Sequence, residues 1–276
     1  MRYPAVSGQF YSNSSKSLER QIDSFLDTAR KETKISSDIG ISPHAGYEYS
    51  GKIAALTFAS LEKNLKKKNT TVIIAGPNHT GIGGLVAVSF EDWKTPIGVS
   101  STDLRLAGAI IQNCTIISKD ELAHFREHSI EVLLPFLQRI NPQAKIVAVC
   151  IGLQEQRVAA QVGRAIFEAC AKEEFKDRNI VLLSSSDFSH YVSGEMARKM
   201  DKMALEFIKQ LNSYEFEREI VENELTICGH GPIVVAIEYA KLAGKKQGKV
   251  LKYSNSGLET GGNEAQIVAY AGIVFV

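Results

Sequence analysis

The spacing of apolar residues changes period repeatedly along the chain. Leu18, Ile22, Phe25, Leu26 and Ala29 recur at helical spacing behind Ser14 or Ser15, either of which suits a helix N-cap. Asp38–Ser42 reads as a short strand, and Ser50 is expected to cap a helix carrying Ile53, Leu56 and Leu61. Thr71–Ala75 is a buried strand that stops at Gly76-Pro77. Leu85–Phe90, Lys145–Ile151, Ile180–Ser184, Val250–Tyr253 and Ile267–Val276 read as further strands. Helical stripes fall at Leu104–Ile111 behind Asp103, at Val158–Cys170, at Glu195–Leu211 and at Tyr214–Val221. Another covers Glu127–Leu137 and is interrupted by Pro135, and Pro232–Leu242 carries its proline near the first turn.

Strand and helix alternate without a repeat, a low-complexity stretch or a long linker. That pattern predicts one α/β domain over residues 1–276, a largely parallel or mixed central sheet with helices on both faces. The last strand is expected inside the sheet. A chain of 276 residues buries enough surface to fold without disulfides.

Charge narrows the partners. Lys and Arg number 32 against 31 Asp and Glu, a formal net charge of +1, which gives no support for a nucleic-acid or anionic-membrane partner. Lys66-Lys67-Lys68 ends a predicted helix, where positive charge suits the macrodipole. The uncharged stretch Asn69–Phe90 contains Pro77, Asn78, His79 and several glycines, so it is not a membrane span. No apolar leader follows Arg2, and a soluble cytoplasmic protein is expected. Of the four cysteines, none forms a C-x-x-C pair. Cys150 and Cys170 lie in apolar patterns and read as buried thiols, whereas Cys228 stands in a polar turn.

The histidines are few, six in all, and their placement is informative. His44 follows a predicted strand in S-P-H-A-G-Y, and His79 follows another in G-P-N-H-T-G. Asp187 and His190 follow a third in S-S-D-F-S-H-Y, and Cys228 precedes a helix in T-I-C-G-H-G-P. Ligands of open α/β sheets bind outside the carboxyl ends of the strands, so parallel strands place the first three segments at one rim. Imidazole and thiolate favour zinc, iron or copper over magnesium or calcium. Two histidines and one cysteine from these segments can hold such a metal while leaving a coordination position open.

Other signals compete less well. His124-Phe-Arg-Glu127-His128 spells H-x-x-E-H, the helical signature of inverted zinc peptidases. It lacks an identifiable third ligand, and both histidines are expected on a surface or a pocket wall. Gly81-Ile-Gly83-Gly84 fits neither G-x-G-x-x-G nor a Walker motif. Ser184-Ser185-Ser186 lacks G-x-S-x-G. Ser256-Gly257 and Thr260–Asn263 read as a polar loop, either a plain turn or one that also borders the pocket.

Taken together, these segments resemble the MEMO family. R-Y-P-A-V-S-G-Q-F-Y at the start, S-P-H-A-G-Y, G-P-N-H-T-G, T-P-I-G at Thr95–Gly98 and E-H-S-I-E-V-L-L-P-F-L at Glu127–Leu137 carry the resemblance. S-S-D-F-S-H-Y, C-G-H-G-P and Y-S-N-S-G extend it in order along the chain. The resemblance implies a fold similar to class III extradiol dioxygenases, which use non-haem iron. It implies metal ligation by His44, His79 and Cys228, with Asp187 and His190 beside them, His190 as the acid/base residue that moves a proton and Asp187 orienting its ring. Those dioxygenases complete their triad with a carboxylate, where Cys228 stands here, and a thiolate is itself oxidisable. The functional expectation is a metal-binding protein with a redox-active iron or copper site, zinc being the third candidate. The ligand is a small molecule or a peptide. A non-catalytic module for peptide recognition or metal handling is the alternative, and a zinc hydrolase the third.

Overall fold

The computed structural model describes residues 1–276. In chain order it contains α1 (Ser15–Glu32), β1 (Ile39–Ser42), α2 (Tyr47–Leu65), β2 (Thr70–Pro77), β3 (Val86–Val88), β4 (Trp93–Thr95), β5 (Gly98–Ser100) and α3 (Leu104–Asn113). Then come β6 (Ile117–Lys119), α4 (Leu134–Ile140), β7 (Lys145–Ile151), α5 (Gln156–Cys170), β8 (Asn179–Ser185), β9 (His190–Val192) and α6 (Gly194–Lys209). The chain closes with α7 (Ser213–Glu222), α8 (His230–Leu242), β10 (Gly248–Asn255), α9 (Ser256–Thr260) and β11 (Ile267–Phe275).

One mixed sheet runs in the order β10-β11-β1-β8-β2-β7-β3-β6, with β9 paired to β11. Its middle is parallel: β8 lies between β1 and β2, and β7 extends the set beyond β2. β11 is antiparallel to β1 and β10, so the last strand is interior, as its continuous apolar run requires. β3 is antiparallel to β7, and β4 and β5 form a separate hairpin that turns at Pro96-Ile97.

Strand periodicity divides the core. Val72, Ile74, Ile146, Ala148, Val181 and Leu183 face one side, where α1, α2 and α4 pack. Ile73, Ala75, Val147, Val149 and Leu182 face the other, under α3, α5, α6, α7 and α8. Because both faces are covered, the central strands read as unbroken apolar runs rather than as alternating ones. α8 is buried on most of its surface, between α5 and the sheet, which explains its apolar sequence. No helix is long and apolar enough to cross a membrane.

Several local expectations are corrected. Ser50 does not cap α2; the helix starts at Tyr47, whose N–H is satisfied by the Phe10 carbonyl, and the Ser50 hydroxyl donates to Ala45. Glu127–Leu137 is not one helix: Glu131–Leu133 forms a 3-10 turn and α4 then begins with Pro135 in its first turn. A proline lacks the N–H that this position leaves unpaired, so it opens the helix instead of interrupting it. α8 likewise starts at His230, before Pro232. The strand read over Leu85–Phe90 shortens to Val86–Val88, and the loop after Asn255 contains the short helix α9. The strands β4, β5, β6 and β9 are three residues each, too short to show a period.

Candidate metal centre

Because β1, β2 and β8 run parallel, their carboxyl ends open at one rim. His44 lies two residues beyond β1, His79 two beyond β2 and Asp187 two beyond β8, while His190 opens β9. Cys228 comes from the connection between α7 and α8 and is laid over the end of β8. A Cβ on the next residue, Gly229, would lie 2.3 Å from the Ser185 carbonyl, so only glycine permits that approach. Gly76 serves in the same way at β2, where a Cβ would lie 2.5 Å from Ser129 Oγ. The result brings together one ligand atom each from His44, His79 and Cys228, all within 4.8 Å of one another. His44 and His79 line a cleft of about 500 Å³.

Hydrogen bonds fix the ring tautomers. His44 is buried, and its Nδ1 lies 2.7 Å from Ser185 Oγ. The Ser185 hydroxyl donates its one proton to the Ser129 carbonyl at 2.7 Å. His44 must then donate from Nδ1, which leaves the Nε2 lone pair free, 3.3 Å from Cys228 Sγ. His79 Nδ1 lies 2.9 Å from Glu127 Oε1 and its backbone N–H donates to Oε2. Glu127 also accepts the N–H groups of His128 and Ser129. Burial raises the Glu127 carboxyl, but the His79 hydrogen bond and charge, the Ser129 amide and His128 outweigh it and hold the group at about 2. An ionised carboxylate accepts only, so His79 also carries its proton on Nδ1 and offers Nε2.

Cys228 completes the set. Its sulfur accepts the Asp187 N–H at 3.3 Å. Burial pushes the thiol well above its ordinary value, and the Asp187 carboxylate adds to the shift. A cation at this point offsets both effects, which is the usual way a buried thiolate is stabilised. Two imidazole nitrogens and one sulfur form a donor set for zinc, iron or copper. The residues present therefore fit a metal ion.

Asp187 and His190 stand beside this set, but not in the relationship expected from the sequence. Asp187 Oδ1 accepts the His44 backbone N–H at 2.9 Å. Burial pushes its carboxyl up to about 6, against the pull of the His44 and Ala45 amides. The His190 ring is oriented instead by Thr226, whose carbonyl lies 2.9 Å from Nδ1 and whose hydroxyl accepts the His190 N–H. A carbonyl only accepts, so His190 carries a proton on Nδ1, and its neutral form has the lone pair on Nε2. Asp187 is engaged by the backbone of the first loop because that loop turns directly over it. Tyr191, next in the chain, has φ of 59° and accompanies the irregular pairing of β9 with β11.

His128 is on a pocket wall, one of the two places the sequence allowed it. It lines the cleft, with its ring stacked on His79 at 4.5 Å and edge-on to His44 at 5.4 Å. Burial lowers it to about 4, with the His79 and Arg2 charges adding to burial and Glu127 opposing it. His79, Glu127 and His128 also cluster within 4.8 Å, but the four N–H groups on Glu127 make it a support rather than a ligand. His124 is neither on a surface nor in this cleft. It ends a 3-10 turn, is 1% exposed, sits edge-on to Trp93 and points Nε2 at the Ala87 carbonyl. The H-x-x-E-H segment is thus not an α-helix, and its two histidines do not share one face. Ser256 borders the cleft, the second of the two readings of its loop.

A family model described as Memo-like protein matches residues 2–274. MEMO1 family proteins of Methanococcoides burtonii and Aquifex aeolicus are 40% and 39% identical to this chain, over 99% and 100% of it and 99% of each relative. Another from Methanosarcina mazei is 37% identical over 99% of this chain and 98% of the relative. The crystal structure of an uncharacterized protein from Escherichia coli superposes with a TM-score of 0.52 at 12% identity, covering 86% of this chain and 98% of that one. That last likeness is one of fold. The matches to the family model and to these relatives each extend over nearly the full length, so the chain belongs to the Memo family.

Proposed function

We propose that this protein binds one iron or copper ion through His44 Nε2, His79 Nε2 and Cys228 Sγ, and that it acts as an oxidoreductase on a small ligand held in the cleft. The carrying observation is the pair of fixed tautomers: Ser185 and Glu127 engage both Nδ1 positions, which leaves the Nε2 lone pairs for a ligand, and one ligand atom each of His44, His79 and Cys228 lies within 4.8 Å of the others. When bound, such an ion supplies redox and Lewis-acid chemistry at positions the three side chains leave open. The chain's own residues do the rest. Glu127 holds the His79 ring in place, as the carboxylate partner of a metal-bound imidazole does. His190 Nε2 accepts a proton from the bound ligand, and the Thr226 carbonyl stabilises the resulting imidazolium through Nδ1–H. Phe10, Tyr49 and Tyr270 supply aromatic surface on the cleft wall.

The thiol favours a second reading, metal handling without turnover. A sulfur ligand binds copper or zinc tightly and is oxidised in place of a substrate more readily than a carboxylate. Anaerobic purification, elemental analysis and oxygen-uptake measurements separate the two. About one equivalent of iron or copper with oxygen-dependent turnover supports the oxidoreductase. A stoichiometric ion without oxygen uptake supports metal handling, and no stoichiometric ion overturns both.

A further inference from the structure

The two edges of the sheet differ. At one edge β6 is three residues long, a short strand that offers little to pair with. At the other edge β10 is eight residues long and pairs only with β11. The N–H and C=O groups of Lys249–Ser254 that point away from β11 have no hydrogen-bond partner in the chain. A groove of about 530 Å³ lies here between β10 and α6. Leu205 of α6 and Val250 and Tyr253 of β10 line it, each half-buried. The irregular pairing between Val250 and Lys252 adds one residue to β10, which turns Val250 and Tyr253 towards the same side of the sheet. The Tyr253 ring is held there by its hydroxyl, which donates to Asp201 at 2.6 Å. Charge is uneven at this edge. The whole chain carries +1, but the groove sets Arg198, Lys202, Lys209 and Lys249 against Glu206 alone. Glu206 is engaged by Lys209 at 2.7 Å, and Arg198 by Glu264 at 3.1 Å. Lys202 and Lys249 are exposed and form no ion pair.

We propose that the free edge of β10 accepts an extended acidic segment of a partner protein as an added strand. Main-chain hydrogen bonds to Lys249–Ser254 supply affinity, and side-chain contacts supply selectivity. Apolar side chains of the segment lie against Leu205, Val250 and Tyr253, and its carboxylates offset the charges of Lys202 and Lys249. At about 3.3 Å per residue, Lys249–Ser254 spans about 20 Å, which suits an added segment of about six residues. The charges also decide against a second copy of this chain. Two β10 edges side by side would bring their lysines at 249 and 252 together, and like charges on neighbouring strands repel. The same lysines attract a strand of opposite charge. This surface is separate from the metal centre, and the proposal does not depend on the metal reading.

The test uses the full chain and a fluorescein-labelled octapeptide in which Glu and Val alternate, with binding read by fluorescence anisotropy. Comparison peptides carry Lys in place of Glu, or keep the sequence with N-methyl groups on the Glu residues or on the Val residues. The Glu peptide is expected to bind about tenfold or more tightly than the Lys peptide, and to weaken as salt is added. Successive N–H groups of a strand point to opposite sides, so only one of the two N-methylated forms should lose binding, by about tenfold or more. Lys202→Glu combined with Lys249→Glu should weaken the Glu peptide about tenfold. Failure of the Glu peptide to bind, or equal binding of the Lys peptide, overturns the proposal. Loss with neither N-methylated form, or with both, overturns strand addition. Unchanged affinity in the folded double variant overturns the location. Should that variant not fold, the N-methylated pair on the wild-type chain decides, with hydrogen exchange of the β10 amides, which the Glu peptide should slow. A free chain that sediments as a dimer and is dissociated by the Glu peptide makes the occupant a second copy, and that too overturns the proposal.

Discussion

Arg2 and Glu131, 129 positions apart, form an ion pair of 2.7 Å with side chains only 3% and 0% exposed. The guanidinium also donates to the carbonyls of His124 and Glu127 and lies 4.1 Å from the centroid of the Trp93 ring. Glu131 in turn accepts from the N–H groups of Ala5 and Val6 and from the Tyr11 hydroxyl. The pair therefore ties the start of the chain to the turn that carries Glu127 and His128. Through Glu127 it reaches His79. The opening R-Y-P-A-V-S-G-Q-F-Y segment is part of the scaffold of the site, although none of its charged groups lies in the cleft.

Removing one member of that pair should be costly. Arg2→Met strands a buried carboxylate, which typically destabilises by about 3–5 kcal/mol. Urea unfolding monitored by circular dichroism measures this. A loss below about 1 kcal/mol would mean that the pair is open to solvent, against its burial here.

Glu127→Gln should weaken metal binding more than it weakens the fold. The amide is the same size, but its NH2 must face one of the N–H groups that the carboxylate now accepts, and the His79 ring loses its anionic partner. Replacing the acceptor behind a metal-bound imidazole typically lowers metal affinity about 10–100-fold. Competition with a chelator of known affinity reads this directly, and unchanged affinity removes Glu127 from the site.

His190→Ala and Cys228→Ser should separate proton transfer from metal binding. The first is expected to keep the ion and to lower oxygen-dependent turnover by about 10²–10⁴-fold. The second replaces a thiolate by a neutral hydroxyl and should lower metal content itself. Elemental analysis of both variants beside their rates decides the matter, and the opposite pattern would exchange the two assignments.

His124 should affect stability and leave the metal alone. Burial, and then the Arg2 charge, lower its imidazole from the ordinary 6.5 to about 4. As pH falls from 6.5 towards 4, the unfolded chain takes up a proton that the folded chain refuses. Stability contributed by neutral His124 is therefore complete above pH 6.5, is lost through that window and levels off below pH 4. The difference amounts to about 3 kcal/mol. His124→Phe should flatten the pH dependence of the urea midpoint in this window without changing metal content. Loss of the ion from that variant, with the fold intact, would return H-x-x-E-H to consideration as a metal motif.

The long elements were legible because each has a face or a run that periodicity exposes. The α/β class, the helices on both faces, the interior place of Ile267–Phe275 and the positions of His44, His79 and Asp187 beyond parallel strands all follow from local pattern. What the sequence could not settle depends on partners far away in the chain. Ser50 carries a capping side chain, yet the Phe10 carbonyl decides where α2 begins. Asp187 precedes His190 by three residues, but the His44 amide takes the carboxylate and Thr226 takes the ring. His124 and His128 look equivalent in H-x-x-E-H, and a 3-10 turn sends one into the core against Trp93 and the other into the cleft. A local pattern records which face of an element is apolar. It does not record which distant carbonyl, amide or carboxylate comes to lie beside a polar atom, and those contacts fix the ring tautomers and aim the site.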